Sequence, residues 1–106
     1  MKNTVLFIDT TNNKEVQVGL QIDGKKISEK KLLDTRKAQV VLPMFQDMLK
    51  EQALSLEDLT SIEVNPGPGS FTGVRVGLSI ANALGFLLQI PVNGKEVGEL
   101  AEAVYQ

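Results

Sequence analysis

The sequence predicts one α/β domain in which helices cover a mixed β-sheet. The run Thr4 to Asp9 is short, largely apolar and rich in β-forming residues, which is typical of a buried central strand. Asp23-Gly24 lies between two strand-like segments and predicts a hairpin turn. Beyond residue 40, helical and strand-like segments alternate, which is typical of strands joined by covering helices.

The first third of the chain is a predicted three-stranded meander. Its second strand, Glu15 to Ile22, alternates apolar and polar residues. Its third strand, Lys25 to Leu33, returns beside the second with many lysines facing solvent. Because partners in a meander are local, we expect the second strand to lie at an edge of the sheet or to pair with another chain.

The middle of the chain predicts two helices separated by a strand. Apolar residues at helical spacing indicate a helix over residues 41–52, with Pro43 in its first turn or at a kink. A fourth strand is predicted from Leu59 to Val64. A second, strongly apolar helix is predicted from about Thr72 to Leu88.

The end of the chain supplies the remaining elements. Ile90 to Asn93 predicts a short fifth strand, and Asn93 with Glu96 resembles the capping box of a last helix. The predicted order is therefore β-β-β-α-β-α-β-α, with a mixed five-stranded sheet. This is the order of the ribonuclease H-like lobe, which also builds the actin-like ATPases. We expect residues 1–106 to form a single lobe of this kind.

Composition limits the chemistry that the chain can perform. The 106 residues carry a net charge of −2 and contain neither cysteine nor histidine. Thiolate and disulfide chemistry is therefore excluded, and so are the commonest general base and the commonest transition-metal ligand. The first residues carry too short an apolar run for a signal peptide, which predicts a cytoplasmic protein.

The least ordinary segment is the glycine-rich loop Asn65 to Gly73, just before the second helix. It is not a P-loop, because Gly73 is followed by Val74-Arg75 rather than by lysine and a hydroxyl residue. It is not a dinucleotide fingerprint, because Thr72 stands where the third glycine belongs. Ser70 resembles a hydrolase nucleophile, but no histidine can activate it, and only a lysine base is left open.

Two interpretations of this loop and of Asp9-Thr10-Thr11 remain. The helix start can bind an anion, and Asp9 can meet phosphate or hydrated Mg²⁺. Alternatively, the loop is a tight crossover capped by Ser70 or Thr72, and Asp9 satisfies turn groups. We predict no catalytic residue, metal or cofactor. The candidate binding residues are Asp9, Thr10, Gly67, Gly69, Ser70 and Thr72.

Four segments of the chain resemble one protein family. "LFIDTT", "VVLPMFQDMLKEQALSLEDLTSIEV", "GPGSFTGVRVGLSIANALGF" and "IPVNG" stand in the order and spacing of the bacterial, glycoprotease-like TsaB or YeaZ factors of tRNA threonylcarbamoyladenosine synthesis. The resemblance implies the actin-like, ribonuclease H-like fold. It also implies a non-catalytic role, because members pair with the catalytic subunit TsaD. With the ATPase TsaE, they support transfer of threonylcarbamoyl to the tRNA adenosine beside the anticodon.

The sequence departs from this family in three places. The family's second lobe does not follow, "RKAQVV" precedes Leu42 where His-Ser-Glu is common, and Asn65-Pro66 replaces Gly-Arg. The resemblance still implies a first lobe that binds TsaD-type and TsaE-type partners, contacts tRNA only through the complex and forms a homodimer when alone. The alternatives are a small nucleotide-binding hydrolase, using Asp9 and the glycine loop, and a homodimerising remnant.

The second predicted helix lacks the broad polar face of a surface helix. Its small residues recur every four positions from Gly73 to Gly85, and its apolar run is shorter than the roughly 20 residues of a membrane span. We expect one side to pack on the sheet and the other on a partner, with the alternative that both lie inside the lobe. The predicted interface is Val41, Met44, Phe45, Met48, Val74, Gly77, Leu78, Ala81, Leu84 and Gly85.

Overall fold

The computed structural model describes residues 3–32 and 37–104. Three strands come first: β1 (Thr4–Asp9), β2 (Glu15–Ile22) and β3 (Lys25–Leu32). Helix α1 (Lys37–Glu51), a short 3₁₀ helix (Leu56–Asp58) and strand β4 (Ser61–Val64) follow. Helix α2 (Phe71–Leu88) is the last regular element of the described chain.

The strands form one mixed sheet in the order β3-β2-β1-β4. β1 pairs antiparallel with β2 and parallel with β4, so the predicted α/β class with a mixed sheet is confirmed. The prediction that the second strand lies at an edge is wrong, because β2 lies between β1 and β3. The charged strand β3 takes the edge, where its lysines stay in water and discourage pairing with other chains.

The predicted fifth strand is wrong: within the described residues the sheet has four strands, and Val92 makes only an isolated parallel bridge to Ile62. The backbone N–H of Asn93 donates to the Ile62 carbonyl (2.8 Å), but the chain then turns away through positive φ angles at Asn93 and Gly94. The side chain of Asn93 replaces the next strand residue. Its Oδ1 accepts from the Val64 N–H (2.7 Å), and its Nδ2 donates to the Val64 carbonyl (2.9 Å).

The predicted last helix is also wrong, since residues 93–104 contain turns and irregular chain but no helix. Asn93 does not cap a helix with Glu96, because its amide is committed to β4. The final segment is instead held on α2 by Asn82. The Asn82 amide accepts from the N–H of Ala101 (2.9 Å) and donates to its carbonyl (3.0 Å).

Both helices pack on the same face of the sheet and enclose the core between them. Alternate residues of β1 and β2 point into it, with Leu6, Ile8, Val16, Val18 and Leu20 buried. Pro43 lies inside α1 rather than in its first turn, on the exposed side.

The small residues of α2 allow it to approach the chain's own sheet closely. A methyl group on Gly77 would collide with Oγ1 of Thr10, and one on Gly85 would collide with Cγ2 of Val92. The stripe therefore faces β1 and the segment after α2, so it belongs to the side of the helix that packs on the chain's own sheet. Among the described helices, α2 alone is long and apolar enough to cross a membrane. Its side with the small residues is buried against the rest of the chain, as in a core helix.

We expect Gly77→Ala to destabilise the protein by about 1–3 kcal/mol, because the added methyl group collides with Thr10. Helix propensity alone predicts the opposite sign, since alanine is favoured over glycine by about 1 kcal/mol. Urea denaturation measures the change, with the exposed Ser79→Ala in the same helix as the control. Adding Thr10→Ala should recover part of the loss in a double-mutant cycle. An unchanged or raised stability for Gly77→Ala would contradict the close approach.

Candidate functional site

The glycine loop between β4 and α2 is pressed against the end of β1. The Ser70 N–H donates to the carbonyl of Thr11 (2.8 Å), and the hydroxyl of Thr10 donates to the carbonyl of Gly73. A Cβ on Gly69 would lie 2.7 Å from Cβ of Thr11. Gly67 has a φ of +101°, which favours glycine there. The glycines thus permit a tight crossover.

Ser70 is the residue that caps α2. Its Oγ accepts from the Gly73 N–H (3.3 Å), and its carbonyl accepts from the Val74 N–H (2.8 Å). Thr72 lies exposed in the first helical turn and does not occupy the cap position. Of the two capping residues left open by the sequence, the structure therefore selects Ser70.

Asp9 ties the ends of β1 and β4 together. Its Oδ1 accepts from the backbone N–H (3.0 Å) and hydroxyl (2.7 Å) of Thr11, and its Oδ2 accepts from the side-chain amide of Asn65 (3.1 Å). Asn65 in turn accepts from the N–H of Gly67 (3.1 Å). Asn65 was missed as a member of the site, although an asparagine directly after a strand and before Pro-Gly is a usable signal for this kind of turn.

The structure thus brings the six candidate binding residues to one end of the sheet. Thr10 is fully buried, Asp9 is half-buried, and both carboxylate oxygens of Asp9 accept from the protein's own donors. Within residues 3–32 and 37–104, no three carboxylates lie together as a metal site. The contacts match those of a hydrogen-bonded crossover, in which Asp9 orients the loop.

A second feature is an apolar, solvent-exposed surface along α2. Phe71, Phe86 and Leu87 are 58 %, 70 % and 73 % exposed. Arg75 is the single charged residue of α2, and its guanidinium carbon lies 5.3 Å from the centroid of the Phe71 ring. We call this surface the α2 face; its members are Phe71, Thr72, Arg75, Val76, Ser79, Ile80, Ala83, Phe86 and Leu87.

The α2 face continues onto α1. A shallow cleft of about 330 Å³ lies between the first turn of α1, at Ala38, and the first half of α2. Leu42 lies one turn further along α1 and is 41 % exposed. An exposed apolar surface shared by two helices is a common form of protein-binding site.

All ten residues of the predicted interface are buried inside the chain's own fold. Phe45 and Val41 are fully enclosed beneath α1, and Leu84 is 8 % exposed. The sequence pattern correctly indicated burial but could not say against which surface. The partner interface stays a prediction, and the apolar surface that a partner can reach on α2 and the adjoining start of α1 is the α2 face with Ala38 and Leu42.

The opposite face of the sheet holds a cleft that the sequence did not indicate. Its volume is about 310 Å³, and its lining includes Phe7, Gly19, Lys26 and Glu63. The Lys26 ammonium lies 4.3 Å from the centroid of the Phe7 ring. Strand pairing places Phe7 directly opposite Gly19, so this arrangement depends on three strands that only the folded sheet brings together.

Comparison with known proteins finds one family. The family model described as "TsaD: tRNA N6-adenosine threonylcarbamoyltransferase" matches residues 31–96, more than half of the chain. The tRNA threonylcarbamoyladenosine biosynthesis protein TsaB of Escherichia coli K12 is 38 % identical over 90 residues, which is 85 % of this chain and 38 % of that protein. The TsaB protein of Haemophilus influenzae is 35 % identical over 92 residues, covering 87 % of this chain and 39 % of that protein.

The solved structures agree. YeaZ from Pseudomonas aeruginosa superposes with a TM-score of 0.80 at 36 % identity, covering 85 % of this chain and 42 % of that one. The chain therefore spans about two fifths of the length of the relatives that it matches.

We expect the isolated chain not to bind Mg-ATP with micromolar affinity, which corresponds to about 8 kcal/mol. The oxygens of Asp9 and the start of α2 already serve the crossover, so a phosphate must displace internal hydrogen bonds. Calorimetric titration measures this, with Asp9→Asn as the matched variant. A micromolar dissociation constant that weakens in Asp9→Asn would contradict the crossover interpretation.

Proposed function

This chain belongs to the family described as TsaD: tRNA N6-adenosine threonylcarbamoyltransferase, among relatives named TsaB and YeaZ. On that premise we propose that it acts in tRNA threonylcarbamoyladenosine biosynthesis as a non-catalytic scaffold. In this role it holds a TsaD-type catalytic subunit during threonylcarbamoyl transfer to the adenosine beside the anticodon. Residues 1–106 then serve as one cytoplasmic lobe of the ribonuclease H-like kind.

The α2 face is the observation that carries the scaffold proposal. Phe71, Phe86 and Leu87 of α2 are each more than half exposed to water. A partner that covers these side chains removes their apolar surface from water, which favours binding. Arg75 is the single charged residue of α2, so docking on this face desolvates only one charge of the helix. A second helix in a partner subunit, with an apolar stripe of its own, fits such a surface.

The proposal assigns the other components indirect roles. A TsaE-type ATPase joins the pair of related subunits, and tRNA contacts the assembly rather than this lobe alone. Without the TsaD-type subunit, the same α2 face pairs with a second copy, because an exposed apolar surface on one copy is available on the other. Self-association and partner binding therefore compete for one surface.

A small nucleotide-binding hydrolase is the second candidate function, and one observation favours it. Asp9, Thr10 and the glycine loop converge at the end of β1, where a phosphate could approach. The internal bonding of Asp9 and the capping of α2 by Ser70 favour the scaffold. ATP turnover by the purified chain separates the two candidates, since only the hydrolase produces phosphate without a partner.

We expect Phe86→Glu and Leu87→Glu, made separately, to weaken binding to the TsaD-type subunit of the same organism by about tenfold or more, because a charge replaces a buried apolar contact. Both side chains are exposed in the free chain, so folding should be preserved. Size-exclusion chromatography and calorimetry with the co-purified partner measure the effect.

Leu32→Glu is the matched control, because Leu32 is 79 % exposed on the edge strand β3 and is not a member of the α2 face. It should bind the partner like the unchanged chain. Phe45→Glu and Leu84→Glu are unsuitable because both side chains are buried and their replacement should unfold the lobe. Full binding by both α2-face variants, or equal weakening by Leu32→Glu, would overturn the assignment of this surface.

A further inference from the structure

The outer edge of β4 is closed by three residues that do not form a strand. The N–H of Ile62 donates to the Pro91 carbonyl (3.0 Å), and the Ile62 carbonyl accepts from the Asn93 N–H. The N–H and carbonyl of Val64, two residues on, are both bonded by the Asn93 side chain. Half of the hydrogen bonds at this edge thus depend on one side-chain amide.

The residue after this amide is glycine. Asn93-Gly94 is the only Asn-Gly pair in the sequence. Gly94 is exposed, and an added Cβ would meet nothing within 4 Å. The backbone nitrogen of a glycine can approach Cγ of a preceding asparagine more readily than the nitrogen of any other residue can. Glycine has no β-carbon to obstruct the approach.

We propose that Asn93 is a site of spontaneous deamidation, and that the modification opens the outer edge of β4. The backbone nitrogen of Gly94 attacks Cγ of Asn93 and forms the new C–N bond of a succinimide ring. The Cγ–Nδ2 bond breaks, and Nδ2 leaves as ammonia with the proton lost by the Gly94 nitrogen. One water then hydrolyses the ring to aspartate or isoaspartate.

Either product removes the donor that bonds the Val64 carbonyl. In aspartate, a carboxylate oxygen replaces Nδ2 and faces the carbonyl oxygen, so an attraction becomes a repulsion. In isoaspartate, the peptide bond to Gly94 is made by the former side-chain Cγ, so the side-chain amide is absent. The Val64 carbonyl is then free to accept from another chain, as at any open strand edge.

The hydrogen bonds between the Asn93 side chain and Val64 also protect Asn93 from deamidation while the protein is folded. Both polar atoms of the side chain are bonded to Val64, so Cγ can turn toward the Gly94 nitrogen only after both bonds break. Deamidation therefore proceeds from locally opened molecules. Breaking two such bonds first slows the reaction by about tenfold or more relative to the unfolded chain.

Peptide mass mapping of the chain aged at mildly alkaline pH, with and without denaturing urea, tests the site. Asn82 is an internal control, because its amide makes the same pair of bonds to Ala101 but is followed by Ala83. We expect modification at Asn93 under both conditions, slower by about tenfold or more in the folded chain, with far less at Asn82. No modification at Asn93, or equal rates with and without urea, overturns the proposal.

Hydrogen exchange and light scattering test the consequence for the β4 edge. The Asn93→Asp variant, and separately the aged and purified modified chain, should exchange the Ile62 and Val64 amides about fivefold faster or more and self-associate more strongly. Asn82→Asp should leave these two amides unchanged. Because the aged chain was folded before modification, it gives an answer even where Asn93→Asp does not fold. Unchanged exchange together with unchanged oligomeric state refutes the opening of the edge.

Discussion

The close approach of α2 to the sheet is the constraint on which the rest of the structure depends. Gly73 and Gly77 bring the helix backbone against Thr10, so the end of β1 is hydrogen-bonded directly to the start of the helix. A larger residue at Gly77 would collide with Oγ1 of Thr10, so the helix or the end of β1 would have to shift. The positions of the glycine loop, the Ser70 cap and the Asp9 hydrogen bonds all depend on this close approach of α2 to the end of β1.

Two asparagines complete the fold by replacing backbone with side chain. Asn93 bonds both polar groups of Val64, and Asn82 bonds both polar groups of Ala101. Each amide presents an N–H donor and a carbonyl acceptor, as the peptide group does. The Asn93 amide thus extends the sheet where the chain turns away, and the Asn82 amide holds the final segment on α2. The backbone groups of Ile62 and Val64 at the outer edge of β4 are therefore hydrogen-bonded without a full fifth strand.

Local patterns were sufficient to predict the first four strands and both observed helices. Asp23-Gly24 joins β2 and β3 as its turn chemistry indicates, and α2 begins within one residue of its predicted start. The fifth strand and last helix failed because Asn93 carries a capping signal in sequence but is claimed by Val64 in space. Such competition is decided by tertiary contacts, which no local window contains.

Only part of the candidate site could be predicted from the sequence. The glycines, Ser70 and Asp9 could be identified because turns and caps have sequence signatures. Asn65 was missed because its role requires β1 and β4 to be neighbours. For α2, hydropathy indicated that most of the helix is buried, but only the fold shows that the small residues face the sheet and that Phe86 and Leu87 face water.

If the α2 face binds a second copy or a partner as proposed, the stability of this domain depends on the concentrations of both. Any molecule that binds the folded α2 face but not the unfolded chain adds stability by mass action, about 2.7 kcal/mol at a hundredfold excess over its dissociation constant. The free lobe at high dilution is then its least stable form. Under that proposal, a melting temperature of this protein is meaningful only together with the concentrations of the chain and of the proposed partner.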